Sequence, residues 1–405
     1  MYSFCKDVYF VKGKTNGCFY DLNRKQLIHC SLDYIEAAQK IIALGWSTLS
    51  QEEQELGTIL MDARVLEEAE TVYNTGNIEE LKEESKIDFA WVEITDRCNM
   101  KCIHCYDEAC PSNGTTLSMK EFCHVVDQLK ENGIKSMQII GGEPLLVKEL
   151  PDMVKYACKH MDHVTVFTNA SMMTASLAEL FAKYGVRTAV SVYSYIPRMH
   201  DKVTKVPGSH TRTMDGLECL HRHGVPFRVA NVRMAGIDIG EKNTDLFDLK
   251  GKGDIVRLTG RASAGLLDEK MIRAKLITEE TFAPVLERDA VIRSVSGHNC
   301  FSRRLYIAAD MNVYPCVMER RLCHGNLKTH ELAELMNSEI IGFNKTKVDG
   351  CKECEFRYVC FDCRPNTLTG NLQEKPWYCT YQPEQGVWID PDCCTRRIEQ
   401  QRRNE

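Results

Sequence analysis

The chain has 405 residues, 51 basic and 57 acidic side chains, a formal net charge of −6, and 20 cysteines. Mild acidity without a Lys/Arg cluster gives no basis for nucleic-acid or membrane-surface binding, and no run of 18 apolar residues offers a spanning helix. Residues 1–13 lack the basic and apolar regions of a secretion signal, so a cytoplasmic protein is expected, and in a reducing compartment so many cysteines suggest metal ligation, catalysis or buried thiols rather than a disulfide framework.

Residues 1–85 read as a small separate module. Strand-like runs at 8–11 and 18–21 flank a turn at 13–17, and 26–30 offers a third strand. From Ser31 the spacing becomes helical, with 52–74 and 77–84 as acidic amphipathic helices. A winged-helix-like fold of three strands and about three helices is expected. From residue 89 strand and helix alternate. Apolar, β-branched runs at 89–95, 136–140, 163–168, 187–194, 226–234 and 254–258 are separated by helical stretches near 118–131, 150–160, 174–184 and 210–223. Such spacing predicts βαβ units and a parallel sheet over 86–260, with chemistry at the C-terminal strand ends. Six strands fall short of a closed eight-stranded barrel, so a partial barrel or an open sheet is expected. Residues 261–299 read as a helical bridge, 300–390 as a cysteine-dense domain and 391–405 as a charged tail.

Cys98, Cys102 and Cys105 follow the first strand at spacings of four and three. Three thiolates so placed suit a [4Fe–4S] cluster with one iron lacking a protein ligand; a closed structural zinc site needs a fourth ligand, which His104, wedged between two of the cysteines, supplies only in principle. The motif C-x3-C-x2-C after a first strand resembles the radical S-adenosylmethionine (SAM) enzymes. The resemblance extends over about 170 residues: Gly141-Gly142-Glu143-Pro144 follows the second strand as the family's GGEP motif does, Thr168-Asn169 ends the third, and Ser191 ends the fourth. It implies a (β/α)6 partial barrel, S-adenosyl-L-methionine as cofactor, Glu143 accepting from its amino group, and Gly141, Gly142, Pro144, Asn169 and Ser191 around it. Arg233 is a candidate for its carboxylate, and Gly260-Arg261-Ala262 for its adenine. For Ser191 and Arg233 an ordinary sheet-end polar residue is the competing reading. A 5′-deoxyadenosyl radical that abstracts a substrate hydrogen is the chemistry implied.

The second dense region runs Cys300-x15-Cys316, then Cys351-x2-Cys354-x5-Cys360-x2-Cys363, then x15 to Cys379. By spacing alone it also suits a zinc ribbon. Downstream of the first motif it resembles the SPASM domain, which carries auxiliary [4Fe–4S] clusters. By position Cys351, Cys354, Cys360 and Cys379 would close one cluster, and Cys300, Cys316 and Cys363 would hold another, completed by Cys323 or left open for a substrate thiolate. Two features depart from the family: two residues rather than three separate Cys360 from Cys363, and Met311 stands where the family has glycine.

The wording of residues 191–214, 354–364 and 375–379 is similar to that of grasp-with-spasm-associated and thioether-forming maturases of ribosomal peptides (RiPPs). This likeness implies an enzyme that forms Cys thioether crosslinks in a precursor peptide. Its partners would be that precursor, whose N-terminal leader adds as a strand to the module at 1–85, and a flavodoxin- or ferredoxin-type electron donor. Other radical modifications (carbon–carbon crosslinking, epimerisation, formylglycine formation) stay open, as does an iron–sulfur or zinc scaffold that only binds peptide; a plain folding or dimerisation domain is the alternative for 1–85. His298, His324 and the His221/His223 pair have no motif around them and read as structural.

Overall fold

A computed structural model describes residues 1–84, 86–250 and 253–404. Ser85, the expected end of the first module, and Glu405, the end of the tail, lie outside the described residues. The chain forms two compact units: residues 1–85, 276–302 and 342–397 make one, and 86–275, 303–341 and 398–405 make the other.

The first unit opens with β1 (Tyr2–Phe4), β2 (Val8–Lys12), β3 (Asn16–Asp21), β4 (Gln26–Ser31), α1 (Leu32–Leu44), α2 (Gln51–Asp62) and β5 (Leu66–Glu68). Strands β2, β3 and β4 form the expected antiparallel sheet in that order. The helix expected to reach residue 74 stops at Asp62, because Arg64 turns left-handed at φ 56° and Leu66–Glu68 then pairs antiparallel with β1. Residues 78–81 make only a short 3-10 turn. The outer side of β2 is occupied where Phe10 N–H donates to Gly76 O at 2.8 Å; among the described residues β4 pairs only with β3.

The second unit follows with β6 (Phe89–Glu93), α3 (Met119–Glu131), β7 (Ser136–Ile140), α4 (Leu150–His160), β8 (His163–Thr168), α5 (Ala175–Lys183), β9 (Arg187–Ser191), α6 (Pro197–Thr204), α7 (Ser209–Arg222), β10 (Phe227–Ala230), β11 (Val232–Arg233), β12 (Asp254–Ile255) and α8 (Glu269–Lys275). Local chemistry sets these bounds. Ser118 and Glu121 form a reciprocal capping box at the start of α3, and Pro197 sits in the first turn of α6, where its missing N–H has no helical partner to lose. Side chains alternate along each strand. Ala90 and Val92, Met137 and Ile139, Val164 and Val166, and Val190 join the helices' Phe122, Val125, Met153, Phe181 and Leu217 in one core. The opposite strand faces carry the polar and aromatic residues of the site.

Then come α9 (Arg288–Ser296) in the first unit, β13 (Arg304–Ile307), β14 (Asn312–Tyr314), β15 (Gly325–Asn326) and α10 (Leu332–Met336) in the second, and β16 (Tyr381–Gln382), β17 (Val387–Trp388) and α11 (Asp392–Asn404). The main sheet runs β10-β9-β8-β7-β6-β13-β14-β15. Its first six strands are parallel and its last two antiparallel. The mixed α/β core with a parallel sheet is as expected, but the sixth parallel strand is β13 beside β6. The run at 254–258 instead pairs with β11 in a separate two-stranded sheet. The tail is helical, and its Ile398 is fully buried. Among the described residues no helix is long and apolar enough to cross a membrane.

Candidate functional site

The C-terminal ends of the parallel strands open onto a cavity of about 440 Å³. Cys98, Cys102, Cys105, Gly141, Gly142, Thr168, Asn169, Ser191 and Tyr193 all line it. The three cysteines lie on the loop after β6; burial first and the charge of Cys105 second push the Cys102 thiol up to about 12, and Cys102 and Cys105 both add to the cost of ionising Cys98. Cys98 and Cys105 are raised as well, chiefly by burial. Such thiols stay protonated until a metal takes the proton's place.

The loop is held rigidly. Lys101 N–H donates to Thr204 O and Ile103 N–H to Val203 O, both at 3.0 Å, which ties it to the end of α6. Arg261 donates to the carbonyls of Cys102 at 3.2 Å and Ala109 at 2.6 Å, and its own N–H reaches Cys105 O at 3.0 Å. Gly260, at φ 56°, lies so close that a Cβ would stand 2.4 Å from Cys105 O. Arg261 thus clamps the cysteine loop rather than lining the cavity.

The glycine pair also serves that loop. A Cβ on Gly141 would fall 2.5 Å from Thr95 O, and one on Gly142 2.4 Å from Arg97 O. Only glycine lets Gly142 N–H donate to Thr95 O at 2.7 Å and Glu143 N–H to Arg97 O at 2.9 Å. Glu143 is buried behind the wall, with Pro144 beside it. Its carboxylate accepts from Thr168 Oγ1, from Leu145 N–H at 3.0 Å and from Asn169 N–H at 2.7 Å. Burial outweighs these bonds and pushes its carboxyl up to about 7. Three of the roughly four acceptor sites of a carboxylate are then used within the fold, and neither Glu143 nor Pro144 lines the cavity. Asn169 Nδ2 donates to Asn99 Oδ1 at 2.8 Å, joining the third strand end to the cysteine loop. Arg233 does not reach the cavity; its Nε donates to Gly253 O at 2.9 Å. Arg228 and Arg257 line it instead.

In the other unit Cys351, Cys354, Cys360 and Cys379 gather in one place. Cys351 feels the charges of Cys360 and Cys379, and Cys354 those of Cys351 and Cys360. Burial pushes Cys351 up to about 12 and Cys354 up as well. The buried Lys345 faces Cys360 and Cys351; burial alone would lower its pKa, but these thiolates and Asp362 raise it. A fixed cation is what a set of thiolates needs in an apolar setting. Cys300 and Cys363 lie in this unit, and Cys316 and the exposed Cys323 in the sheet unit. Met311, at the family's glycine position, keeps a left-handed φ of 74°.

Among the described residues no three His, Cys, Asp or Glu side chains converge as they would on one metal ion. Three cysteines at the strand ends and four in the other unit are the donor sets that iron–sulfur clusters take, and three donors would leave one iron of a [4Fe–4S] cluster without a protein ligand.

Residues 92–248 match the model of the radical SAM superfamily, and residues 300–364 that of SPASM, an iron–sulfur cluster-binding domain. These two domains imply [4Fe–4S] clusters and S-adenosylmethionine. A stretch of 143 residues is 34% identical to the antilisterial bacteriocin subtilosin biosynthesis protein AlbA of Bacillus subtilis, covering 35% of this chain and 32% of that protein. The chain thus spans about a third of the length of that relative. An AdoMet-dependent heme synthase of Methanosarcina barkeri is 25% identical over 341 residues, 73% of this chain and 96% of its own. In fold, the chain is similar to Streptococcus suis SuiB in a crystal structure with precursor peptide SuiA, at a TM-score of 0.52 and 15% identity over 93% of this chain and 99% of that one.

Proposed function

We propose that this chain, which belongs to the radical SAM superfamily of enzymes and carries an SPASM domain, matures a ribosomally made precursor peptide, forming Cys thioether crosslinks. The observation that carries this reading is one chain's possession of two thiol cradles, three cysteines at the strand ends and four in the other unit, together with a small N-terminal sheet that has an outer strand.

When bound, the first iron–sulfur group and S-adenosylmethionine supply a carbon-centred radical that removes hydrogen from the substrate. Cys98, Cys102 and Cys105 would hold that group, and Cys351, Cys354, Cys360 and Cys379 an auxiliary one. Arg261 and the Asn99–Asn169 link keep the first loop in place. The cavity's Met100, Ile140, Phe167 and Val256 restrict water around a reactive species. In the other unit β4 is the strand to which an extended leader can add, with backbone hydrogen bonds supplying affinity. Support for a peptide substrate comes from the subtilosin relative and from the fold shared with a peptide-bound maturase. A flavodoxin- or ferredoxin-type protein is the electron donor this reading needs.

Anaerobic incubation of the reconstituted enzyme with a precursor encoded beside its gene tests the proposal by mass spectrometry. Loss of two hydrogens per bond, blocked by alkylating the peptide's cysteines and dependent on the leader, is expected. An unchanged mass overturns crosslinking, and a loss that survives alkylation moves the bond from sulfur to carbon.

A further inference from the structure

Beneath the strand ends the cavity has a second layer of side chains. Ser191 pairs with Ala230 at the rim; two residues earlier, Ala189 is flanked by Phe167 on one side and Arg228 on the other. At ~3.3 Å per residue this layer lies roughly 7 Å deeper along the strands. Its walls are aromatic or already satisfied: Trp91 Nε1 donates to Gln138 Oε1 at 3.0 Å, and Ile140 and Phe167 are apolar.

Two guanidinium groups line the cavity. Arg257 is paired with Asp254 at 3.1 Å. Arg228 stands 5.8 Å from the centre of the Phe167 ring. No other described residue forms an ion pair or hydrogen bond with its side chain. Phe227 and Val229 pack against the helix-covered core, which puts Arg228, itself solvent-exposed, on the cavity side of the strand. Arginine cannot shed its charge. In a concave, aromatic-walled site an arginine with only a ring beside it is matched by a planar anion that takes two parallel N–H bonds.

We propose that Arg228 determines specificity by receiving a carboxylate of the substrate, an aspartate or glutamate side chain next to the residue that is modified. The proposal rests on the peptide reading above for the source of the carboxylate. Gly141, Gly142, Asn169 and Ser191, the candidates for cofactor contact, belong to the rim, whereas Arg228 lies one layer below, which favours the substrate over the cofactor's own carboxylate.

The test titrates the reconstituted holoenzyme, saturated with S-adenosylmethionine, with acetyl-Gly-Glu-Gly-amide and acetyl-Gly-Gln-Gly-amide by calorimetry. The acidic peptide is expected to bind roughly tenfold tighter. Arg228→Gln removes the difference and Arg228→Lys keeps part of it, with the Kd for S-adenosylmethionine unchanged in both. Three results overturn the proposal: no acid preference in the wild type, a preference that survives Arg228→Gln, or a weakened cofactor Kd in that variant. Failure of the maturase reading would be distinguishable, because the precursor would keep its mass while the acid preference persisted.

Discussion

In the sheet unit Cys98, Cys102 and Cys105 hang from a loop fixed by backbone bonds to α6 and by the Arg261 clamp. In the other unit Cys351, Cys354, Cys360 and Cys379 sit on turns and short loops, and buried charges brace them. The Asp362 carboxylate, fully buried, is ion-paired to Arg364 and to Lys345 at 3.3 Å, and the His298 ring nitrogen Nε2 stands 3.4 Å from it. Arg364 also donates to Leu372 O at 3.0 Å and Glu374 O at 2.8 Å. The N-terminal sheet is tied to the same cysteine-bearing segment: Arg357 donates to Lys12 O at 2.9 Å, and His29 meets Glu355 at 2.8 Å. The contrast shows two ways to keep thiolates in register. A parallel sheet presents a loop at its strand ends at little cost, whereas a segment with little regular structure needs charged groups and a neighbouring sheet to define it.

The largest expected effect would separate the two cradles by role. Cys98→Ala is expected to reduce 5′-deoxyadenosine release to background in the anaerobically reconstituted enzyme. Cys354→Ala is expected to lower iron content by one cluster while leaving cofactor cleavage at the wild-type order of magnitude. Chromatography of the products with an iron assay checks both. If Cys354→Ala also abolished cleavage, the division of labour would be wrong.

A smaller effect addresses the means of support. Asp362→Ala leaves Lys345 and Arg364 buried without their counter-charge, a loss expected to cost about 3–5 kcal/mol. Urea unfolding of the variant measures it, and a change below about 1 kcal/mol would show the charges to be incidental.

How much of this was legible in the sequence depended on whether a feature is local. Strands β7 and β8 and helix α4 fall on their expected residues because each alternates or repeats cleanly between strong boundaries. Strand β13 escaped notice because it has four residues, begins with an arginine and gains its place only by pairing with β6. The acidic pattern after α2 resembled more helix, but Arg64 breaks it, and β1, at the start of the chain, recruits Leu66–Glu68 as a strand. The cysteine loop and the glycine pair are legible as motifs. Arg261 is legible as a candidate for the adenine but not as the clamp of the cysteine loop, and Arg228 has no motif, since the role of each depends on a strand face or a loop that folding alone brings near. The groups around Asp362 are likewise scattered from residue 298 to residue 364.

The smallest expected effect turns the comparison into a difference in acid response. In the sheet unit His200 is buried, and desolvation holds its imidazole down at about 4. Its folded pKa is below the unfolded value of about 6.5, so the unfolded chain binds the proton first, and the stability that His200 contributes falls as pH drops from about 6.5 towards 4, by up to about 3 kcal/mol. Glu143 works in the opposite sense. Its carboxyl is raised to about 7, so it favours the folded state more as pH falls from 7 towards its unfolded value. The whole-protein curve therefore mixes two signs, and a variant difference is needed to isolate either. Asp362 in the other unit is lowered well below the ordinary carboxylate range: burial alone would raise it, but Lys345 and Arg364 reverse that. It keeps its charge throughout this window and loses its contribution only in stronger acid. Urea unfolding at pH 7 and pH 5, comparing wild type with His200→Asn, is thus expected to show a gap that changes with pH, the variant being relatively less harmed at pH 5. The Asp362→Ala gap should stay level over the same interval. A His200→Asn gap that did not move with pH would mean that the imidazole is protonated in place, and that the two units do not differ in the charge state of their buried groups.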